Sequence, residues 1–383
     1  MKRILILFMV MVLICLSACK KEDVNVSSEY NFETDCQYYH LSNTQGFHLI
    51  TESPESYYYV SKECFLHVVD KKTMQDMILC GKPNCLHEKE EKIEDRQKCN
   101  AFVGHPSLRN LFYSNGYIYF VEHQYSEKIS TEVIPVLVRM SLDGASRKNL
   151  LELTCEETKA NLPFLYILHR NTLYFVVTQE GTMESSLYRC NLEEKKCEKI
   201  YTSSYGMDNL TAIGDYLFFR EFFSQDGRTQ GRTKYQISTG EYEKIDSAGS
   251  IVPIDSQLLI YYCEFDANYT ATHSLCLTNF DGSERIPYTI ELTGKYKFIY
   301  ADEKYLYSSE LTAPIIEVYD FETKDRVATL SLPESLFSFR NITFSSDGKI
   351  LVYDNFSDFT IFYCSIHEIG TPDFQWHEVE KVN

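Results

Sequence analysis

One repeat constrains this chain more than any other feature. A turn-forming pair followed by an apolar run recurs seven times, as ESYYYV, NGYIYFV, RNTLYFVV, GDYLFFRE, DSQLLIYY, EKYLYSS and DGKILVYD. The residues at the fourth position are Tyr58, Ile118, Leu173, Leu217, Leu258, Leu306 and Ile350, at spacings of 60, 55, 44, 41, 48 and 44. Each copy is preceded by a short apolar stretch and followed by a hairpin-like pair such as LYRCNLEEKKCEKIY or IEVYDFETKDRVATLSL. Asp-Gly, Thr-Gly and Lys-rich turns between alternating runs are what tight hairpins require. Four antiparallel strands per unit and a period in the forties predict an all-β chain, a seven-bladed β-propeller over residues 46–383.

Several copies resemble known repeats. FSSDGKILVY (344–353) is similar to the TolB-like propeller repeat. LVRMSLDGASRKNLLEL and LCLTNFDGSERI resemble the YWTD-type repeats of uncharacterised surface lipoproteins from Gram-positive, often anaerobic, bacteria. The tetrapeptide that names the YWTD repeat is missing from every copy. Because such folds host unrelated activities, the resemblance implies shape and location more than chemistry.

The N-terminus carries an address. Lys2 and Arg3 precede an unbroken apolar stretch from Ile4 to Cys15, too short to span a bilayer comfortably, and Leu16-Ser17-Ala18-Cys19 closes it. The tetrapeptide resembles the bacterial lipobox. That resemblance implies a signal peptide over 1–18, removed when diacylglycerol is attached to Cys19, and an extracytoplasmic protein held at the cell membrane by lipid. Residues 19–45 are polar with little periodicity and read as the lipidated cysteine and a tether. The formal net charge of −18 becomes −20 once Lys2 and Arg3 are removed. Such a surface does not suit nucleic acid, whose phosphates need clustered Lys and Arg. A monomer is expected.

The spacing from Tyr58 to Ile118 is sixteen residues longer than the 44-residue step, and the surplus is the segment 80–102, LCGKPNCLHEKEEKIEDRQKCNAF with its flanks. It is expected as an insertion between blades 1 and 2. Cys80, Cys85, His87 and Cys99 are three thiols and an imidazole, a sufficient set for a closed structural zinc site. A disulfide between two of the three cysteines is the alternative, and the spacing does not choose. Elsewhere, Cys190 and Cys197 flank a short hairpin, and Cys263 and Cys276 lie on consecutive strands of blade 5, so both pairs are disulfide candidates.

Motifs for catalysis are missing from the sequence: it has no G-x-S-x-G elbow, no H-E-x-x-H and no C-x-x-C. Binding is therefore expected, through loops leaving the second strand of each blade. These carry Glu122, His123 and Tyr125 in blade 2, and Arg220, Glu221, Phe222 and Phe223 in blade 4. Glu264, Phe265 and Tyr269 belong to blade 5, Glu310 to blade 6, and Asp354, Asn355 and Phe356 to blade 7. Aromatic faces beside carboxylates suit a carbohydrate, a peptide or an envelope protein. The competing expectation is a glycan-active hydrolase or lyase using an unmarked carboxylate pair on the same face.

Overall fold

The computed structural model describes residues 30–37, 40–41, 49–87, 93–104, 110–125, 133–153, 163, 165–179, 181–222, 230–245, 251–254, 257–265, 271–280, 284–292, 297–310, 313–336, 340–354 and 360–382. Its strands form seven separate sheets, each meandering from an inner first strand to an outer fourth. The protein is a seven-bladed β-propeller. Blade 1 contains Ile50–Glu52, Ser56–Val60, Leu66–Asp70 and Gln75–Ile78; blade 2 contains Leu111–Ser114, Tyr117–Tyr125, Val133–Ser141 and Arg147–Glu152. Blades 3 to 6 begin at Leu165, Met207, Ile251 and Lys297, and blade 7 runs from Arg340–Phe344 to His377–Glu378. The lower face is taken here as the one carrying the turns between first and second strands. The upper face carries the loops that leave the second strands.

The repeat becomes structure through side-chain alternation. All seven fourth-position residues lie on second strands and are buried. In blade 1, Tyr58 and Val60 pack towards blade 2, whereas Tyr57 and Tyr59 pack towards blade 7. Blade 4 divides in the same way, with Leu217 and Phe219 on one side and Phe218 on the side of blade 5. A strand covered on both faces has no reason to alternate polar with apolar residues, which is why these runs are nearly unbroken. The core is therefore a ring of clusters between blades.

Both termini add strands that the repeat does not contain. Glu380–Lys381 pairs in parallel with Gln75–Ile78, the outer strand of blade 1. His40–Leu41 pairs with Thr343 and Ile342 of blade 7's innermost strand, so it lies on the axial side of that blade. Of the segment 19–45 expected as a tether, residues 30–37 and 40–41 belong to the fold, and the others lie outside the described residues. Asp35, Cys36 and Gln37 are buried. The Asn115 and Arg170 amides, in lower turns of blades 2 and 3, donate to the carbonyls of Glu33 and Thr34. Asp35 pairs with Arg170 at 2.9 Å, and the Gln37 side chain bonds Thr51 Oγ1, the Glu52 amide and the Glu52 carbonyl. Its polar residues satisfy the inner strands' backbone groups, a role that hydropathy cannot reveal.

His169 fixes part of this contact. Its Nδ1 accepts from the Cys36 amide at 3.1 Å and its Nε2 donates to the Gly214 carbonyl at 2.7 Å, so the neutral ring satisfies both neighbours. Burial, partly offset by Asp35, holds its pKa below the ordinary 6.5. The unfolded chain then takes up the proton first. The contribution to stability is complete above pH 6.5 and declines as pH falls below it. Denaturant midpoints measured between about pH 7.5 and 5 should fall accordingly. In His169→Gln that part of the pH dependence should disappear.

Candidate metal centre

Outside the blades, the four residues singled out in the insertion converge. The ligand atoms of Cys80, Cys85, His87 and Cys99 lie within 4.8 Å of one another, and His87 Nδ1 is 3.4 Å from Cys99 Sγ. None of the three cysteines is in a disulfide. An ion bound to sulfur at about 2.3 Å in a tetrahedron needs ligands roughly 3.8 Å apart, so the spacing fits a closed site. A single disulfide would use only two of the sulfurs and would not account for the approach of all four groups.

The local backbone prepares these donors. Asn84 and His87 both adopt positive φ, 58° and 56°, a conformation that non-glycine residues rarely hold without a reason. Burial raises the Cys80 thiol pKa, but amide donors from Lys82 and Asn100, with the Cys99 and Cys85 thiols, bring it below the ordinary 9.0. Burial pushes Cys99 up to about 12, opposed by the Ala101 amide and reinforced by the neighbouring thiols. Cys80 and Cys99 thus each take an amide from the residue two further on. Bonds of this kind stabilise a thiolate once a cation supplies the charge.

The insertion joins two blades. Leu66 and Val103 amides bond the carbonyls of Ala101 and Cys64, while Phe65 bridges Phe102, with ring centroids 5.4 Å apart. On the other side, Asn100 Nδ2 donates to Gly144 and Ala145 carbonyls in a turn of blade 2, and Arg147 returns a bond to the Asn100 carbonyl. Contact here is close enough to demand glycine. A Cβ on Gly81 would come 2.9 Å from Ala145, and one on Gly144, at φ +69°, 2.6 Å from the Leu79 carbonyl. The spacing of the repeat located the insertion; nothing in it revealed that the Leu142–Ser146 turn is its docking site.

The proposed binding face is more internally paired than its composition suggested. Glu122, Glu221 and Glu310 occupy the same repeat position, four residues after Ile118, Leu217 and Leu306. Glu122 is buried, with Arg147 Nη2 at 2.7 Å and the Gly104 amide at 3.1 Å. Glu221 takes Lys244, Thr233 and the Tyr201 hydroxyl of blade 3, so it clamps two blades together. Glu310 pairs with Lys297 at 2.8 Å. Arg220 holds Asp208 at 2.6 and 2.5 Å, with Phe222 beneath its guanidinium. His123 is half-buried. Tyr125, Glu264, Phe265 and Asp354 lie in described strands, but their side chains fall outside the described residues, as do Phe223, Tyr269, Asn355 and Phe356 entirely. The detectable signal was a basic residue in the same repeat unit as each acid.

Of the other cysteines, Cys190 and Cys197 are directly opposed and joined, with Cα atoms 4.1 Å apart. Cys263 and Cys276 do not meet. Cys263 faces His273 and Cys276 faces Ile260, three rungs away, so their side chains point to opposite sides of the sheet. Consecutive strands alone did not fix that register. Cys15 and Cys19 lie outside the described residues.

No protein-family model and no curated protein matches the chain. Among solved structures it is similar to the β-propeller domain of the trilobed protease from Pyrococcus furiosus, at 12% identity over 72% of this chain and 85% of that one, TM-score 0.47. It is also similar to the dihydro-heme d1 dehydrogenase NirN, at 11% identity over 90% and 67%, TM-score 0.49. TolB from Acinetobacter baumannii aligns at 10% identity over 69% of both chains, TM-score 0.38. These likenesses concern the fold alone.

Lys244→Met would leave the Glu221 carboxylate, 3% exposed, without its cation. Breaking a fully buried pair costs about 3–5 kcal/mol. Lys244 itself is 41% exposed, so a loss nearer 2 kcal/mol is expected in denaturant unfolding.

Proposed function

We propose that this protein is a binding or scaffolding propeller, carried on the extracytoplasmic side of the membrane by lipid on Cys19, with a carbohydrate, peptide or envelope protein as its ligand. One observation supports binding over turnover above all. The carboxylates at the recurring position in blades 2, 4 and 6 already carry a cation from their own blade. A carboxylate whose oxygens are filled by a guanidinium or ammonium is poorly placed to exchange protons with a substrate. The same pairs make a stiff, hydrogen-bonded wall, which suits recognition without large rearrangement. Cys19→Ser should release the protein from membranes and abolish incorporation of a radiolabelled fatty acid. Lipid-dependent retention of the variant would count against the anchor. Purified protein should retain partners on glycan and peptide arrays or from the parent envelope without converting them, and product formation would overturn the reading.

We further propose that Cys80, Cys85, His87 and Cys99 hold a structural zinc ion. Four protein ligands saturate a tetrahedral ion and leave no position for substrate, so its role is to fasten the insertion to blades 1 and 2. Metal analysis should find one zinc per chain. A chelator should make three further thiols reactive and lower the thermal midpoint. Metal-free protein with only one free thiol among Cys80, Cys85 and Cys99 would rule the site out in favour of a disulfide.

A further inference from the structure

The route of the N-terminal segment through the ring says which mouth of the propeller a ligand can use. Tyr113 in blade 2 meets Phe32 by ring contact at 5.5 Å and donates its hydroxyl to Glu33 at 2.7 Å. The chain then passes under the lower turn of blade 3, where Arg170 takes both the Thr34 carbonyl and the Asp35 carboxylate. It crosses to blade 1 through Gln37 and rises as His40–Leu41 along the axial side of blade 7. Four of the seven blades are touched within eleven residues. Two small cavities flank Gln37, one against the inner strands of blades 1, 2 and 3 and one against those of blades 1 and 7, so the segment occupies the space between the blades.

We propose that residues 31–37, with the strand His40–Leu41, are a fixed axial strap that closes the lower mouth and turns the lower face towards the bilayer, leaving the upper mouth for ligand. The membrane half of this proposal rests on the lipid at Cys19. Ten residues separate Cys19 from Tyr30, and fully extended they reach about 35–40 Å. A blade four strands wide and one strand high is roughly 15–20 Å in each direction. Turning the upper face to the membrane would require the chain to run outward beneath a blade and up its wall. That path consumes nearly the whole length, with the entropic cost of holding it straight. With the lower face towards the membrane the same residues are slack. Lower turns bear exposed Glu55, Glu303 and Asp347 beside exposed Lys304 and the Lys349 paired to Asp347, a balance that gives this face no attraction to anionic lipid.

The test uses full-length lipidated protein in phosphatidylcholine vesicles carrying a headgroup acceptor dye. Blade 1 offers an exposed position on each face, Glu55 in the lower turn and Glu63 in the upper loop. Glu55→Cys and Glu63→Cys are labelled with a donor dye, and the label taken up by unsubstituted protein is subtracted. Energy transfer from position 55 should exceed that from position 63. In parallel, hydrogen exchange of 31–37 should be as slow as that of the inner strand Leu165–His169, and Arg170→Ala should speed it selectively. Equal or reversed transfer with lipid confirmed on Cys19, or exchange of 31–37 as fast as an exposed loop, overturns this proposal alone. Absence of lipid on Cys19 by mass overturns the anchoring reading together with the membrane half, and the exchange result still decides the strap.

Discussion

The seam between blades 7 and 1 is the contact on which the rest of the ring depends. Every other boundary joins blades that follow one another in sequence, whereas this one must bring together segments some 300 residues apart. Each blade takes its four repeat strands from one continuous stretch of chain, so the two ends share a sheet only through the strands added at the termini of the described residues. Closure falls to side chains and terminal strands. The Tyr57 hydroxyl donates to Asp347 at 2.6 Å, and Glu52 holds Lys71 at 2.5 Å while accepting the Ser346 amide at 2.9 Å. Tyr57, Glu52 and Lys71 are buried, where an unmatched partner would be costly. Tyr57 is accordingly held well above its ordinary pKa, by burial first and then by the Asp347 bond. The terminal strands brace the same seam at its inner and outer edges, through blade 7 and blade 1 respectively.

Blade 1 is the place where the architecture departs furthest from its own repeat. On one flank lies the seam, and on the other the insertion with its three cysteines and histidine. Between them, Tyr59 and His67 stack at 4.9 Å and share the buried Asp76, which accepts from Tyr59 at 2.5 Å and contacts His67 at 2.9 Å. The fourth strand of this blade is short, Gln75–Ile78, and is covered on its outer edge by the C-terminal strand. A terminal blade has only one neighbour that follows it in the chain, and here the connection, from Ile78 to Leu111, is long. The hydrogen bonds of Asn100 and Arg147 to the blade 2 turn offset that deficit, and the proposed metal would add to them, because a clip closing a loop of this length removes freedom mainly from the unfolded chain.

What was legible in the sequence was everything periodic. The seven fourth-position residues, the hairpin turns and the surplus at 80–102 each follow from local pattern, since a strand buried on both sides writes itself as an apolar run. The gathering of Cys80, Cys85, His87 and Cys99 within twenty residues was legible too, as a candidate donor set. The strap was not, because Asp35, Gln37 and Arg170 are polar residues whose burial is justified by partners far along the chain. Register was also hidden: Cys190 and Cys197 are fixed by one tight hairpin, while the strands of Cys263 and Cys276 are joined by a longer loop that allows several offsets.

The paired carboxylates carry the same lesson into function. An acid recurring at one position of a repeat invites a reading as a ring of ligand groups. In blade 6 its base lies directly across the first two strands, Lys297 opposite Glu310, whereas in blades 2 and 4 it comes from the outer strand. The acid is therefore repeated, but its cation is reinvented from blade to blade, as expected of a charge that must be neutralised wherever it is buried. A ligand-binding ring would instead keep its acids free and vary their surroundings. On the binding reading, the groups left to meet a ligand are those beyond the pairs, at the ends of the second strands. On the proposed reading, a strap across the other mouth leaves this one to the ligand, above a wall of paired carboxylates whose stiffness favours precise recognition.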